Sequence, residues 1–114
     1  MSNVAALTKQ QRIRLLNDSL RTTFAGGKIL LTAGVDALPT EAKAEVLSKV
    51  RAFADFNGDN DPHDEHDFGS VELAGATYFF KLDYYAPDME GGSEDPSDAT
   101  KTARVLTIMR ADEY

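Results

Sequence analysis

Apolar positions recur at helical spacing early in this chain and alternate later, and that change of period predicts an α+β fold. Ile13, Leu16, Leu20 and Phe24 fall on one helical stripe, and Arg12, Arg14 and Arg21 point largely elsewhere. Thr8-Lys9-Gln10-Gln11 fits a capping box ahead of that stripe, with Thr8 as N-cap and Gln11 reaching back. The pattern predicts a helix over 9–24, stopped by Gly26-Gly27. The short apolar run Lys28 to Ala33 lies between glycines and reads as a strand. Asp36 to Pro39 opens a second helix, expected over 40–55, with Pro39 tolerated in the first turn. Its stripe is Val46, Val50 and Phe53, widened by Leu47 and Ala54, and Asn57-Gly58 ends it.

Alternation takes over after an acidic loop from Asp59 to His66. Phe68 to Leu73, a tight Ala74-Gly75 turn and Thr77 to Tyr85 form a β-hairpin signal. In the second arm Tyr78, Phe80, Leu82 and Tyr84 share the core face, while Thr77, Phe79, Lys81, Asp83 and Tyr85 share a half-solvated one. The loop Ala86 to Thr100 is too long for a hairpin turn, which points to a functional or mobile segment. Arg104 to Met109 is a last strand, with a short tail to Tyr114. The order α-β-α-β-β-β predicts one domain over 1–114. Two N-terminal helices pack on one face of a four-stranded, mostly antiparallel sheet, with Tyr78, Phe80, Leu82, Val50, Phe53, Leu16 and Leu20 buried together.

Composition sets bounds on this picture. A chain of 114 residues with 42% apolar content can bury about 65% of its unfolded surface. It contains no cysteine, which removes disulfides and thiolate chemistry. The segment Met1 to Arg14 lacks the apolar stretch of a signal peptide, and no segment approaches the ~20 apolar residues of a membrane span. The expected setting is the cytoplasm, away from membranes.

Charge changes the picture more. Residues 1–54 carry eight Lys/Arg against four Asp/Glu, a net of +4; residues 55–114 carry four against fifteen, a net of −11. Twelve of those acids lie in Asp55–Asp67 and Asp83–Asp98, where no Lys or Arg occurs. Acids this dense repel one another and are tolerated in water, around a cation or against a basic partner. The balance argues against direct nucleic-acid binding, which needs a basic footprint. The candidate partner surface is Asp59, Asp61, Asp64, Glu65, Asp67, Asp88, Glu90, Glu94, Asp95 and Asp98.

Other constellations compete with bland explanations. Asp55 to Asp61 has oxygen ligands at alternate positions like a calcium loop, but Asn60 stands at the turn glycine and His66 at the bidentate Glu. An ordinary loop of turn-forming residues explains the same stretch. His63-Asp64-Glu65-His66-Asp67 matches no standard zinc spacing. Asp61, His66 and Asp67 nevertheless define an alternative metal-binding or hydrolytic reading, although the expectation is no cofactor and no catalytic residue. Lys81, Asp83 and Glu72 suit cross-strand pairing on an exposed face. Gly26-Gly27-Lys28 lacks P-loop spacing, and no nucleophile elbow surrounds Gly69-Ser70.

Several segments together carry a resemblance: Leu16-Asn17-Asp18, Leu31-Thr32-Ala33-Gly34-Val35, Asn60-Asp61-Pro62, Glu65-His66-Asp67-Phe68-Gly69, Asp83-Tyr84-Tyr85, Arg104 to Met109 and Glu113-Tyr114. From Arg12 onward the chain resembles a bacterial family of small proteins classed as a domain of unknown function. The family is often carried on plasmids and other mobile elements. It departs from this chain at His63, where an aromatic residue often stands. The resemblance implies a setting and no mechanism. With the acids, it favours a non-enzymatic inhibitor, an anti-defence decoy whose carboxylates occupy a basic groove of a host or defence-system protein. A homodimeric accessory protein is the remaining alternative.

Overall fold

The structure is a computed structural model and describes residues 6–114. Helix α1 (Lys9–Thr23) leads to strand β1 (Lys28–Leu31), a one-turn helix α2 (Ala33–Asp36) and helix α3 (Thr40–Ala52). Strands β2 (Phe68–Leu73), β3 (Ala76–Tyr85) and β4 (Ala103–Arg110) follow, with short 3₁₀ turns at Ala99–Lys101 and Ala111–Glu113. The sheet order is β1-β4-β3-β2. β4 is antiparallel to β3 and parallel to β1, so the sheet is mixed with two of its three pairings antiparallel.

The expected caps and turn form. Thr8 Oγ1 accepts from Gln11 N–H at 3.1 Å while Gln11 Oε1 accepts from Thr8 N–H at 2.9 Å. Ala74 and Gly75 both have positive φ, 52° and 81°, which a tight two-residue hairpin turn requires. The strand phase also holds. Tyr78, Phe80 and Leu82 are buried with Leu20, Val46, Val50, Leu106 and Ile108, so α1 and α3 pack on one face of the sheet. Phe53 meets Phe80 edge-on at 5.2 Å. Gly69 lets these rings approach, because a Cβ there would lie 2.4 Å from Phe80.

Five local expectations are corrected, and long-range contacts explain most of them. α1 ends at Thr23, with Phe24 rather than the glycine pair as its left-handed cap at φ 58°. Arg21 does not point away from the core and is only 3% exposed. Its guanidinium donates to the Val50, Arg51 and Phe53 carbonyls at 3.0, 3.3 and 2.8 Å. They lie at the end of α3, where carbonyls run short of helical donors, and the Val50 carbonyl is shared with Phe53 N–H at 3.3 Å. α3 accordingly stops at Ala52, three residues short of 55, with Phe53 already extended at ψ 134° and Ala54 exposed. Leu16 and Phe53 are half-buried rather than fully buried. The strand expected to reach Ala33 stops at Leu31, because the far C-terminus builds α2 there. The Glu113 carboxylate accepts from Thr32 Oγ1 at 2.6 Å, Gly34 N–H at 2.8 Å and Arg110 N–H at 2.8 Å.

Two outcomes check this frame. Phe80→Ala should cost about 3–5 kcal/mol in denaturant unfolding, as deletion of a fully buried Phe does. Glu113 is held below its ordinary value of 4.5, first by the Thr32 hydroxyl and then by the Arg110 and Gly34 amides. A depressed carboxylate contributes stability that is complete above the unfolded value and is lost as pH falls through the folded one. Glu113→Gln should therefore lower the denaturation midpoint at neutral pH, and the gap from the wild type should shrink as pH falls below 4.5.

Candidate functional site

Two polar positions on the buried face of α1 organise the surroundings. Asn17 follows Ile13 by four residues and precedes Leu20 by three, so it sits within the apolar stripe and is fully buried. Its Nδ2 donates to the Glu65 carbonyl at 3.0 Å and to Tyr84 Oη at 2.8 Å. Its Oδ1 accepts from Arg104 Nε at 2.7 Å. Tyr84 Oη donates onward to Glu65 Oε1 at 2.8 Å, and the Arg104 guanidinium lies 5.1 Å over the Tyr84 ring. A second branch of Arg104 donates to the Pro96 carbonyl. Burial lowers the pKa of Arg104 and raises that of Tyr84. α1, β3, β4 and the first acidic loop thus meet at one amide, and Arg104 extends the network to the second loop.

Asp18 carries the second branch. Its carboxylate lies 2.9 and 3.1 Å from His66 Nδ1 and 3.2 Å from Arg21 Nη2. The His66 ring stacks on Phe56 at 3.9 Å, nearly parallel. Asp61 is buried, and its Oδ1 accepts from the Glu65 and His66 amides at 2.9 and 3.0 Å. Asp64 and His66 both have φ 56°, so the loop is folded back tightly under this carboxylate. Arg14 ties Asp64 to α1 by an ion pair, and Gln10 donates to the His63 carbonyl.

The sequence-predicted acids therefore separate into bound and free groups. Asp61 lies inside the loop; Asp64 pairs with Arg14, and Glu65 bonds Tyr84. Asp67 is half-buried, and its pKa is raised by burial first and then by the charge of Glu65. Asp95 is held low by Ser97 and faces Lys9 at 3.7 Å, so it is not the freely exposed carboxylate its loop composition implies. Asp98 is held low by Thr100, and Glu94 reaches Lys101 at 3.7 Å. Asp59, Asp88 and Glu90 remain exposed with no ion pair among the described residues. The calcium-like stretch is occupied by turn bonds: Asn57 Oδ1 accepts from Asp59 and Asn60 amides, and Asn60 Nδ2 donates to the Asp55 carbonyl.

The long loop differs from the mobile alternative. Ala86 and Gly91 bond at 2.8 Å, Ser93 N–H reaches the Tyr84 carbonyl at 3.1 Å, and Thr102 Oγ1 reaches the Asp95 and Asp98 carbonyls. A groove of about 460 Å³ runs between this loop and α1, lined by Leu15, Leu16, Arg12, Lys9, Asp95 and Asp98 among others. A smaller one lies beside Pro87, Glu94 and Lys101. Neither contains Asp61, His66 or Asp67. On the open sheet face Lys81 pairs with Asp83 at 3.3 Å along one strand, whereas Glu72 is bonded by Thr77 rather than facing Lys81.

These features define a small α+β domain with a buried polar hinge beneath acidic loops. The chain belongs to the family described as Protein of unknown function (DUF3768), which matches residues 31–113. The match begins in β1, so α1 lies outside it even though α1 supplies Asn17, Asp18 and Arg21. No curated protein and no solved structure matches the chain.

Asn17, Asp18, Arg104 and Tyr84 were not singled out as site residues by sequence. A signal existed for two of them. Asn17 interrupts an apolar helical stripe, and Arg104 stands at an inward strand position in phase with Leu106 and Ile108. Asn17→Ala should strand Arg104 Nε and one Tyr84 bond, at about 1–3 kcal/mol per group left without a partner. Tyr84→Phe should cost about 1 kcal/mol. Urea unfolding of both variants measures the difference, and Asn17→Ala should be the worse.

Proposed function

We propose that this protein is a non-enzymatic binding module that presents an ordered acidic loop to a basic protein. Its occupant is the nucleic-acid-binding groove of a host or defence-system protein, reached in the cytoplasm by a chain carried on a mobile element. One observation carries the reading. Asp88 and Glu90 flank Met89 at the tip of a loop closed by its own backbone bonds, and Met89 is 38% exposed. An apolar anchor rimmed by charge is the layout of an interface centre. A loop ordered before contact loses less entropy on binding. The net charge of −7 would speed approach to a basic surface.

The hydrolytic alternative has weaker support. His66 is stacked under Phe56 and held by Asp18, and neither groove reaches it. The homodimer alternative rests only on the half-exposed face of β3 and on Leu30 in edge strand β1.

The test is a double variant, Asp88→Asn with Glu90→Gln. Both side chains are exposed, so its melting temperature should match the wild type. Association with the basic protein captured from the host and identified by mass spectrometry should slow by roughly tenfold at low salt, and its salt dependence should flatten. Equal rates and equal salt slopes would overturn the reading, as would a captured partner that carries no basic groove.

A further inference from the structure

We propose that Asp61, Asp64 and His66 form a site for a divalent cation of the zinc class, with Asp18 orienting the imidazole from α1. One ligand atom from each of the three lies within 4.8 Å of the others. The donor set is one nitrogen and two carboxylates, which suits zinc and its neighbours better than calcium or magnesium.

The wiring of the two inner ligands points to a cation. The Asp18 carboxylate lies 2.9 Å from His66 Nδ1 and can accept from a proton-bearing Nδ1, the orientation that turns Nε2 toward a ligand. That nitrogen faces Asp61 Oδ2 at 3.8 Å. Asp61 is 94% buried by its 6% exposure, and only its Oδ1 receives hydrogen bonds, from the Glu65 and His66 amides. Oδ2 receives none from the described residues. This carboxylate oxygen and the imidazole nitrogen thus confront each other with no protein donor between them. A cation at the midpoint would be attracted by both. Tetrahedral ligands about 2.1 Å from an ion stand roughly 3.4 Å apart, so a contraction of a few tenths of an ångström would close the pair.

The surroundings fit this role. A carboxylate on the far nitrogen is the usual support of a metal-bound histidine. Arg21, 3.2 Å from Asp18, holds that carboxylate in place. Asp64 is exposed and presently paired with Arg14, so it can exchange a guanidinium for the ion. Water completes the coordination. The ion would close the Asp61–His66 loop on itself, while Asn17 and Asp18 join that loop to α1. The site is independent of the Asp88–Glu90 tip.

The experiment uses the whole chain, chelator-treated and then titrated with zinc at neutral pH by calorimetry, with melting followed in parallel. Saturable one-to-one binding and a rise in melting temperature are expected, with no rise from calcium. His66→Gln should abolish binding, and Asp64→Asn, at an exposed position that leaves folding intact, should weaken it roughly tenfold or more. Asp18→Asn should weaken it about 10–100-fold. His63→Gln, and Asp88→Asn with Glu90→Gln, should bind as the wild type does. Nitrogen NMR should show an unprotonated His66 Nε2 whose signal moves on saturation. The proposal is overturned if Nε2 carries a proton that zinc does not displace, since His66 is then an imidazolium bridging Asp18 and Asp61. It is equally overturned if Asp64→Asn and His66→Gln bind like the wild type, or if binding disappears in His63→Gln.

Discussion

A single buried amide joins the parts of this protein. Asn17 has no exposure, yet both its donor and its acceptor sides are used, by the Glu65 carbonyl, Tyr84 and Arg104. A buried polar group without partners costs more than an apolar residue of the same shape. Asn17 therefore fixes a position as well as adding stability. α1 can dock only where β4 supplies a guanidinium, β3 a hydroxyl and the acidic loop a carbonyl. Arg21, one turn along, adds the same constraint toward α3 by bonding carbonyls at that helix's end. The apolar residues of α1 drive its burial, and the two polar ones decide its register.

This arrangement changes the meaning of the acidic stretches. Fifteen acids from residue 55 onward look like one diffuse negative surface when only sequence is read. In the fold many of them are consumed locally. Glu113 builds α2, Asp61 turns a loop, Asp98 caps a 3₁₀ turn, and Asp64 and Asp95 take Arg14 and Lys9 from α1. The positive first half and negative second half of the chain are thus partly complementary within one molecule. The charge that remains for an outside partner is narrower, and it is concentrated where no Lys or Arg can reach.

Legibility followed the range of the interactions. The capping box at Thr8, the Ala74-Gly75 turn and the alternation of Tyr78, Phe80 and Leu82 depend on neighbours in sequence, and each formed as read. The misreadings depend on distant partners. Nothing near Ala33 announces a helix there, because the carboxylate that starts it is 79 residues away at Glu113. Nothing near Ala52 announces a stop, because Arg21 takes the carbonyls from another helix. The metal-like residues show the same division. His66 and Asp61 were visible as candidates, but Asp64 took the place expected for Asp67, since backbone turns at positive φ decide which side chains converge. Asp18 was hidden for a simpler reason: an acid on a helix normally faces water.

The buried and exposed acids are best understood as two answers to one electrostatic problem. A carboxylate inside a protein needs donors, a cation or a proton. Glu65 and Asp61 Oδ1 have donors. Asp67 has only its own amide as donor, and burial and the charge of Glu65 outweigh it and raise its pKa. Asp61 Oδ2 has no donor and faces an imidazole nitrogen, which leaves a cation or a proton on that nitrogen as the source of balance. The exposed acids Asp88 and Glu90 have no cation among the described residues: Asp88 accepts from the Glu90 amide at 2.9 Å, and both stay open to a partner that brings positive charge. Both proposed sites hold their carboxylates in bonded backbone, one in the loop whose His66 stacks on Phe56 and one in a closed loop. On the proposed reading, preordering is what suits crowded negative charge to binding, because the repulsion is already overcome within the fold before any ligand arrives.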